Sequence, residues 1–426
     1  MQSNSKAIIA AIAGNAIEWY DFTVFALMTP VIKSLFFPAD DAAGGQTNAL
    51  LLTTALFGCG FLMRPLGGLV LGYLGDRCGR KSAMTLGMAL MALGMAMLAV
   101  APTYASAGVA APIIVLLARL LQGFSVGGEF GSSTAYLIEA APKDHTGFYG
   151  SWQIAGQLMA NVLGTLLGAA LTFVFTAEQL SAGAWRIPFF VGLAIIPVLL
   201  YLRARLVEPE AFRSERAKAG RKEFRAALKQ SGRSTLIGLG LVIASTVSVY
   251  ISFGYTALYA QDVLGLPLAQ SFLVQTLTAI MMMVLVPVAG AVADRYARKP
   301  LVITSLTLYL LSLYPLYAWV VAAPTVGKLL LCQLSIGFFS ACFLGIACTT
   351  LAELFPIRIR ATSLSIVTNI AVLTFGGFAP FVVTWLMAVT NSPLAPIFYV
   401  MLGVGIGLIS ALFLPKPERG IFAAQQ

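Results

Sequence analysis

Twelve stretches of about 20 residues or more carry few charges, at approximately 7–36, 48–74, 82–101, 110–140, 147–175, 185–206, 233–260, 270–293, 300–321, 325–355, 359–388 and 394–414. At 1.5 Å per helical residue, a run of about that length matches the hydrocarbon thickness of a bilayer. The runs are continuously apolar, without the period-two alternation of a membrane barrel, and are about twice the length of a barrel strand. A helix also satisfies its own backbone polar groups where no water is available. The expectation is an all-α membrane protein with twelve transmembrane helices. Composition agrees, since 10% of residues are charged against about 25% in a soluble domain, and the mean hydropathy is +0.87.

The chain is duplicated. GYLGDRCGRK at 72–81 lies between the second and third runs, and a degenerate copy, GAVADRYARK, lies at 290–299 between the eighth and ninth. YLIEAAP at 136–142 corresponds in the same way to TLAELFP at 350–356. Asp76 and Asp294 are 218 residues apart and Glu139 and Glu353 are 214 apart, far longer than the 20 to 50 residues of a solenoid repeat. Each half is therefore a whole bundle of spans. This predicts two pseudo-symmetric six-helix bundles, 1–206 and 233–426, joined by a linker at 207–232.

Ten Lys and Arg fall between Arg203 and Arg233, after the sixth run. By the positive-inside rule that joint is cytoplasmic, and both termini with it. The same asymmetry accounts for the net charge of +10 without a nucleic-acid partner. The first run is about 30 residues long and contains Glu18 and Asp21, unlike the short core of a cleavable signal. Five cysteines without CxxC spacing read as packing residues, so no metal or cofactor is expected. The single His145 has no nucleophile in a recognisable motif, and no GxxxxGK[ST] sequence occurs, which argues against an enzyme and against an ATP-driven pump.

Ionisable residues at membrane depth are costly and face a cavity or a partner. Glu18, Asp21, Arg64, Arg119 and Glu129 qualify. Glu18 and Asp21 share a helical face at i, i+3, and two carboxylates so close discourage each other's ionisation, so that one can carry a proton. Asp21, nearer the midplane, is the preferred carrier; a structural pair is the competing reading. Arg119, Gln122, Glu129, Ser133 and Tyr136 form one stripe of the fourth helix. Arg119 and Glu129 lie about 15 Å apart along the axis and cannot pair with each other. The planar fork of Arg119 suits a substrate carboxylate, or a switching role on Asp21. Gln333 and Phe343 stand at the repeat-related positions, so these charges belong to one half only. Arg64 is read either as a ligand contact or as a partner of a first-helix acid. Gln153, Gln157 and Asn161 form an amide stripe on the fifth helix that can bind hydroxyls and carboxylates or hydrogen-bond between helices. Tyr20 and Tyr255 complete the substrate-binding candidates, and Asp21, Glu18 and Glu129 are the proton-coupling ones.

The two GxxxDRxGRK-type joints with twelve spans resemble the major facilitator superfamily. GNAIEWYDF at 14–22, FLMRPLGG at 61–68, RLLQGFSVGGE at 119–129, GFYGSW at 147–152 and WRIPFF at 185–190 resemble its metabolite:proton symporter branch. That branch includes citrate, tricarballylate, 2-oxoglutarate, shikimate and proline/betaine permeases. The resemblance implies the major facilitator fold and proton-coupled import of a small organic metabolite by alternating access. A di- or tricarboxylate such as citrate is preferred, because Arg64, Arg119 and Lys33 are basic; a zwitterionic osmolyte or uncoupled facilitation are the alternatives. The first joint resembles the superfamily's gating latch, with Asp76 capping a neighbouring helix and Arg77 and Arg80 pairing acids such as Glu139. Asp294, Arg298 and Glu353 are the weaker second copy. Absence of proline from QLMANVLGTLLGAAL at 157–171 argues for import. The expected setting is a monomer in a bacterial inner membrane, with substrate, protons and lipid as its partners.

Overall fold

Over the described residues the apolar runs fold as helices, because the bilayer offers backbone groups no other hydrogen-bond partner. The computed structural model describes residues 2–37, 59–204 and 230–415. The start of the second run and residues 207–229 of the linker lie outside these. The spans are α1 Gln2–Phe36, α2 Arg64–Cys78, α3 Arg80–Ala99, α4 Ala110–Glu139, α5 Thr146–Val174, α6 Ile187–Ala204, α7 Gly232–Gly254, α8 Leu268–Arg295, α9 Arg298–Ala322, α10 Val326–Glu353, α11 and α12 Ala395–Leu412. α11 runs in two pieces, Arg360–Ala371 and Ala379–Thr390, joined by a π-helical turn at Val372–Gly377. Nine helices among the described residues are long and apolar enough to cross a bilayer. The protein is thus an all-α membrane protein of twelve spans, as the apolar runs predict.

The chain divides into two compact units. The first contains Met1–Tyr136, Gly156–Lys218 and Ile357–Asn369; the second contains Leu137–Ala155, Ala219–Pro356 and Ile370–Gln426. In the first unit α1, α3 and α6 pack together around Phe25, Phe36, Met95, Trp185 and Phe189. Trp185 meets Phe36 and Phe189 edge-on, at 5.6 and 6.0 Å between ring centroids, the geometry aromatic quadrupoles favour. α4 lies against α2 without intervening side chains. A Cβ on Gly123 would overlap the Gly60 carbonyl, and one on Gly127 the Arg64 carbonyl. Lipid supplies no hydrophobic drive between helices, so such close backbone contact is what holds them.

In the second unit α8 packs along α10, α7 along α12, and α9 against both α10 and α12. The break in α11 falls where Gly376 and Gly377 precede Ala379 and Pro380. Glycine weakens the helix and proline removes a backbone donor. The Tyr399 hydroxyl donates to the carbonyl of Phe375 at 3.1 Å within this turn.

Candidate functional site

Four charged residues meet in a narrow cleft inside the first unit. Its walls are Glu18, Asp21 and Phe22 of α1, Arg64 and the preceding Gly60 and Phe61, and Arg119, Gln122, Gly123 and Val126 of α4. The empty space is about 260 Å³, counting its open mouth. Asp21 is 2% exposed and is held by two partners. Arg119 Nη1 donates to Asp21 Oδ2 at 3.1 Å, and Gln122 Nε2 donates to Asp21 Oδ1 at 2.9 Å. Arg119 Nη1 also donates to Gln122 Oε1 at 2.9 Å. The three side chains form a closed triangle, which a carboxylate, an amide and a guanidinium can make because each offers what the next lacks.

Arg119 is nearly fully buried, with its Cζ 4.2 Å from the centre of the Phe25 ring. Its bonds all run through Nη1, and its Nε is buried without a hydrogen-bond partner among the described residues. One edge of the guanidinium fork therefore remains for an oxygen ligand, and an orphaned buried donor of this kind is costly. Arg64 is half-buried and stacks over Phe61 at 4.3 Å, with Phe22 at 5.7 Å. Glu18 is 5% exposed and makes no hydrogen bond or ion pair among the described residues. With all four groups ionised, the two acids and two arginines of the cleft sum to zero charge.

Glu129 lies away from the cleft, in a second ion pair. Arg203, at the end of α6, grips both carboxylate oxygens of Glu129 and also donates to the Met84 carbonyl of α3. Both side chains are essentially without exposure. In the sequence Arg203 stands among the basic residues of the joint after α6 and does not declare itself as a partner of Glu129. Its position one turn inside the sixth apolar run, together with the demand of Glu129 for a cation on another helix, was the signal that could have found it.

The remaining substrate-binding candidates do not line the cleft. The Tyr20 hydroxyl donates to the Pro188 carbonyl at 2.9 Å, tying α1 to α6. Gln157 Nε2 lies 3.5 Å from Asn15 Oδ1, and the Thr23 hydroxyl donates to Asn161 Oδ1 at 2.7 Å. The amide stripe of α5 is thus engaged with α1 at these two positions. Gln153 is fully buried and belongs to the second unit. There too, the Tyr255 hydroxyl approaches Met387 Sδ at 3.9 Å, and the ring neighbours Tyr259.

Each unit holds one repeated joint. Asp76 accepts from the Ala361 and Thr362 N–H groups at 3.2 and 2.8 Å and from the Thr362 hydroxyl at 2.6 Å. These are the first free donors of α11, which a carboxylate caps and whose helix dipole it complements. Arg80 pairs with Asp76 at 2.6 Å and donates to the Ile357 carbonyl at 2.8 Å. Arg77 instead reaches Tyr73, its Nε donating to the hydroxyl at 2.9 Å. Glu139 ends α4. In the second unit Asp294 caps α5, accepting from Gly147 and Phe148 N–H at 2.6 and 2.9 Å. Arg298 pairs with Glu353 and donates to the Thr146 hydroxyl at 2.8 Å.

Comparison with known proteins places the chain among transporters. The family model described as sugar (and other) transporter matches residues 6–236, and that of the major facilitator superfamily matches residues 270–424. A citrate-proton symporter of Salmonella typhi is 35% identical, covering 98% of this chain and 96% of the relative. A proline/betaine transporter of Escherichia coli K12 is 32% identical, covering 96% of this chain and 83% of the relative. Among solved structures, the proton:xylose symporter XylE bound to 6-bromo-6-deoxy-D-glucose superposes with a TM-score of 0.80 at 18% identity, covering 97% and 96% of the two chains. That last likeness is one of fold.

Proposed function

The chain belongs to the major facilitator superfamily, and from that premise we propose that it imports a small organic anion together with protons, a di- or tricarboxylate such as citrate, by alternating access. The observation that carries this reading is the unfilled edge of Arg119 beside Asp21 in a cleft of zero formal charge. A carboxylate from the substrate fits that edge as a second fork. Adding an anion alone would leave the cleft negative in a low-dielectric setting, where uncompensated charge is expensive. Each proton taken up with the substrate offsets one of its charges, and the one that arrives on Asp21 also weakens the hold of Asp21 on Arg119. Binding of substrate and binding of proton therefore favour each other.

Asp21, Glu18 and Glu129 serve proton coupling in this account, and Arg119 with Gln122 and Arg64 serves the substrate. Tyr20, Gln153, Gln157, Asn161 and Tyr255 enter only in a conformation that frees them from their present contacts. The helix caps of Asp76 and Asp294, with Arg77, Arg80, Glu139, Arg298 and Glu353, act as the gate contacts that each transport cycle breaks and remakes. The basic joint after α6 supports a cytoplasmic position for both termini of a bacterial inner-membrane monomer. The halves 1–206 and 233–426 are the moving bodies, joined through 207–232.

A betaine is the second reading, supported by the proline/betaine relatives and by aromatic rings beside two carboxylates. Arg64 already stacks on Phe61, and its charge would repel a quaternary ammonium there, which favours the anion. The test is proton movement on adding substrate to de-energised proteoliposomes. Citrate should alkalinise the external medium. No pH change with citrate, together with one on adding proline betaine, would replace the anion by the zwitterion.

A further inference from the structure

Gly14, Glu18 and Asp21 stand at i, i+4 and i+7 on α1 and so share one face. One end of that face meets the Asp21–Arg119 pair. The other meets Arg203, whose guanidinium lies so close over Gly14 that a Cβ there would overlap it. Arg203 in turn holds Glu129, ten residues beyond Arg119 on α4. Two buried ion pairs thus flank Glu18, which is about 4.5 Å along the axis from Asp21 and about 6 Å from Gly14. Neither the position of Arg203 nor that of Gly14 contributes to the substrate cleft.

Building on the proton-coupling reading above, we propose that Arg203 is a positioning residue for proton release: the proton passes from Asp21 through Glu18 to Glu129, and Arg203 reclaims Glu129 to expel it. Each transfer breaks one carboxylic O–H bond and forms another. Asp21 gives its proton to the Glu18 carboxylate, and Glu18 gives it to Glu129. Protonated Glu129 loses one of the two acceptor oxygens that the fork of Arg203 grips. When the proton leaves to water on the inner side, the bidentate pair re-forms, and its re-formation favours release. Among the described residues, the charged groups facing this path are Glu18 and Asp21 of α1, Arg64 of α2, Arg119 and Glu129 of α4 and Arg203 of α6; α3 contributes the neutral Met84 carbonyl.

The notch at Gly14 supplies a perturbation that leaves every charge in place. Gly14→Ala displaces the Arg203 guanidinium, and Arg203→Gln removes it. The assay is labelled citrate in proteoliposomes, measuring gradient-driven accumulation and counterflow at a series of internal pH values. Both variants should keep counterflow and lose accumulation. Raising internal pH should restore accumulation, because mass action then draws off the proton that Arg203 no longer helps to expel. Arg203→Lys, which keeps the charge, should recover much of the loss.

Wild-type accumulation by Gly14→Ala and Arg203→Gln at every internal pH would overturn the proposal. So would joint loss of counterflow and accumulation that Arg203→Lys fails to rescue, since that marks a clasp between helices and nothing more. Retained accumulation in Asp21→Asn is a separate outcome: it would overturn the coupling reading itself, and the release path with it.

Discussion

Asp76→Asn should destabilise the protein more than its repeat-related counterpart, Asp294→Asn. The Asp76 carboxylate is wholly buried and takes at least four hydrogen bonds on its two oxygens. Oδ1 receives Ala361 N–H and Arg80, and Oδ2 receives Thr362 N–H and the Thr362 hydroxyl. An amide turns one of these edges into a donor facing donors. The Thr362 hydroxyl can rotate to accept, but a backbone N–H cannot, so at least one charge-assisted bond is lost, at about 1.5–3 kcal/mol. Loss of the negative charge at the first turn of α11 adds about 0.3–1 kcal/mol. The total is about 2–4 kcal/mol, or roughly 30-fold to 1000-fold in an equilibrium constant. Asp294 also accepts two backbone N–H groups, but Arg298 stands 3.7 Å away where Arg80 bonds the buried Asp76 at 2.6 Å, so its replacement leaves no buried cation unpaired and should cost less. Thermal unfolding of the detergent-purified variants reads the difference. Equal midpoints for the two variants, or a lower one for Asp294→Asn, would show that the Asp76 cap is no stronger than its copy.

Asp21→Asn should abolish gradient-driven accumulation while counterflow persists, because Gln122 still holds Arg119 in place; accumulation at the wild-type level would count against Asp21 as the coupling group. Arg119→Lys keeps the charge and loses the fork, so substrate affinity should fall by about tenfold or more, the worth of one charge-assisted bond; an unchanged affinity argues against bidentate recognition. Gly127→Ala drives a methyl into the Arg64 carbonyl and should cost about 1–3 kcal/mol, visible as a lower thermal midpoint; an unchanged midpoint would mean that α2 and α4 separate freely. Uptake at fixed internal pH should fall as external pH rises, since the proton is a co-substrate in this account, and a flat profile would contradict symport.

The spans were legible because lipid imposes one rule on every backbone group, and the rule writes itself into 20-residue apolar runs. The repeat was legible because both joints keep their Asp and Arg, and each Asp caps a helix start. Pairing is harder to read, because it depends on which faces the helices turn toward each other. Arg77 and Arg80 lie three residues apart, yet one reaches Tyr73 and the other Asp76 and α11. Arg203 was obscured by a run of basic residues that serve topology, although it is wholly buried. The glycine seam of α4 escaped for a similar reason: Gly123 and Gly127 matter through the backbone of another helix, which no local pattern identifies. The break in α11 was written in two glycines and a proline, but membrane helices also carry interior prolines without breaking, as Pro197 and Pro315 do here.

Proton-coupled anion import is decided by uptake of labelled citrate, tricarballylate, 2-oxoglutarate and proline betaine into proteoliposomes, with and without an inward proton gradient that a protonophore collapses. Such import gives concentrative uptake of a carboxylate that disappears with the gradient. Concentrative uptake of proline betaine alone, or equilibration of all four indifferent to the gradient, would contradict it.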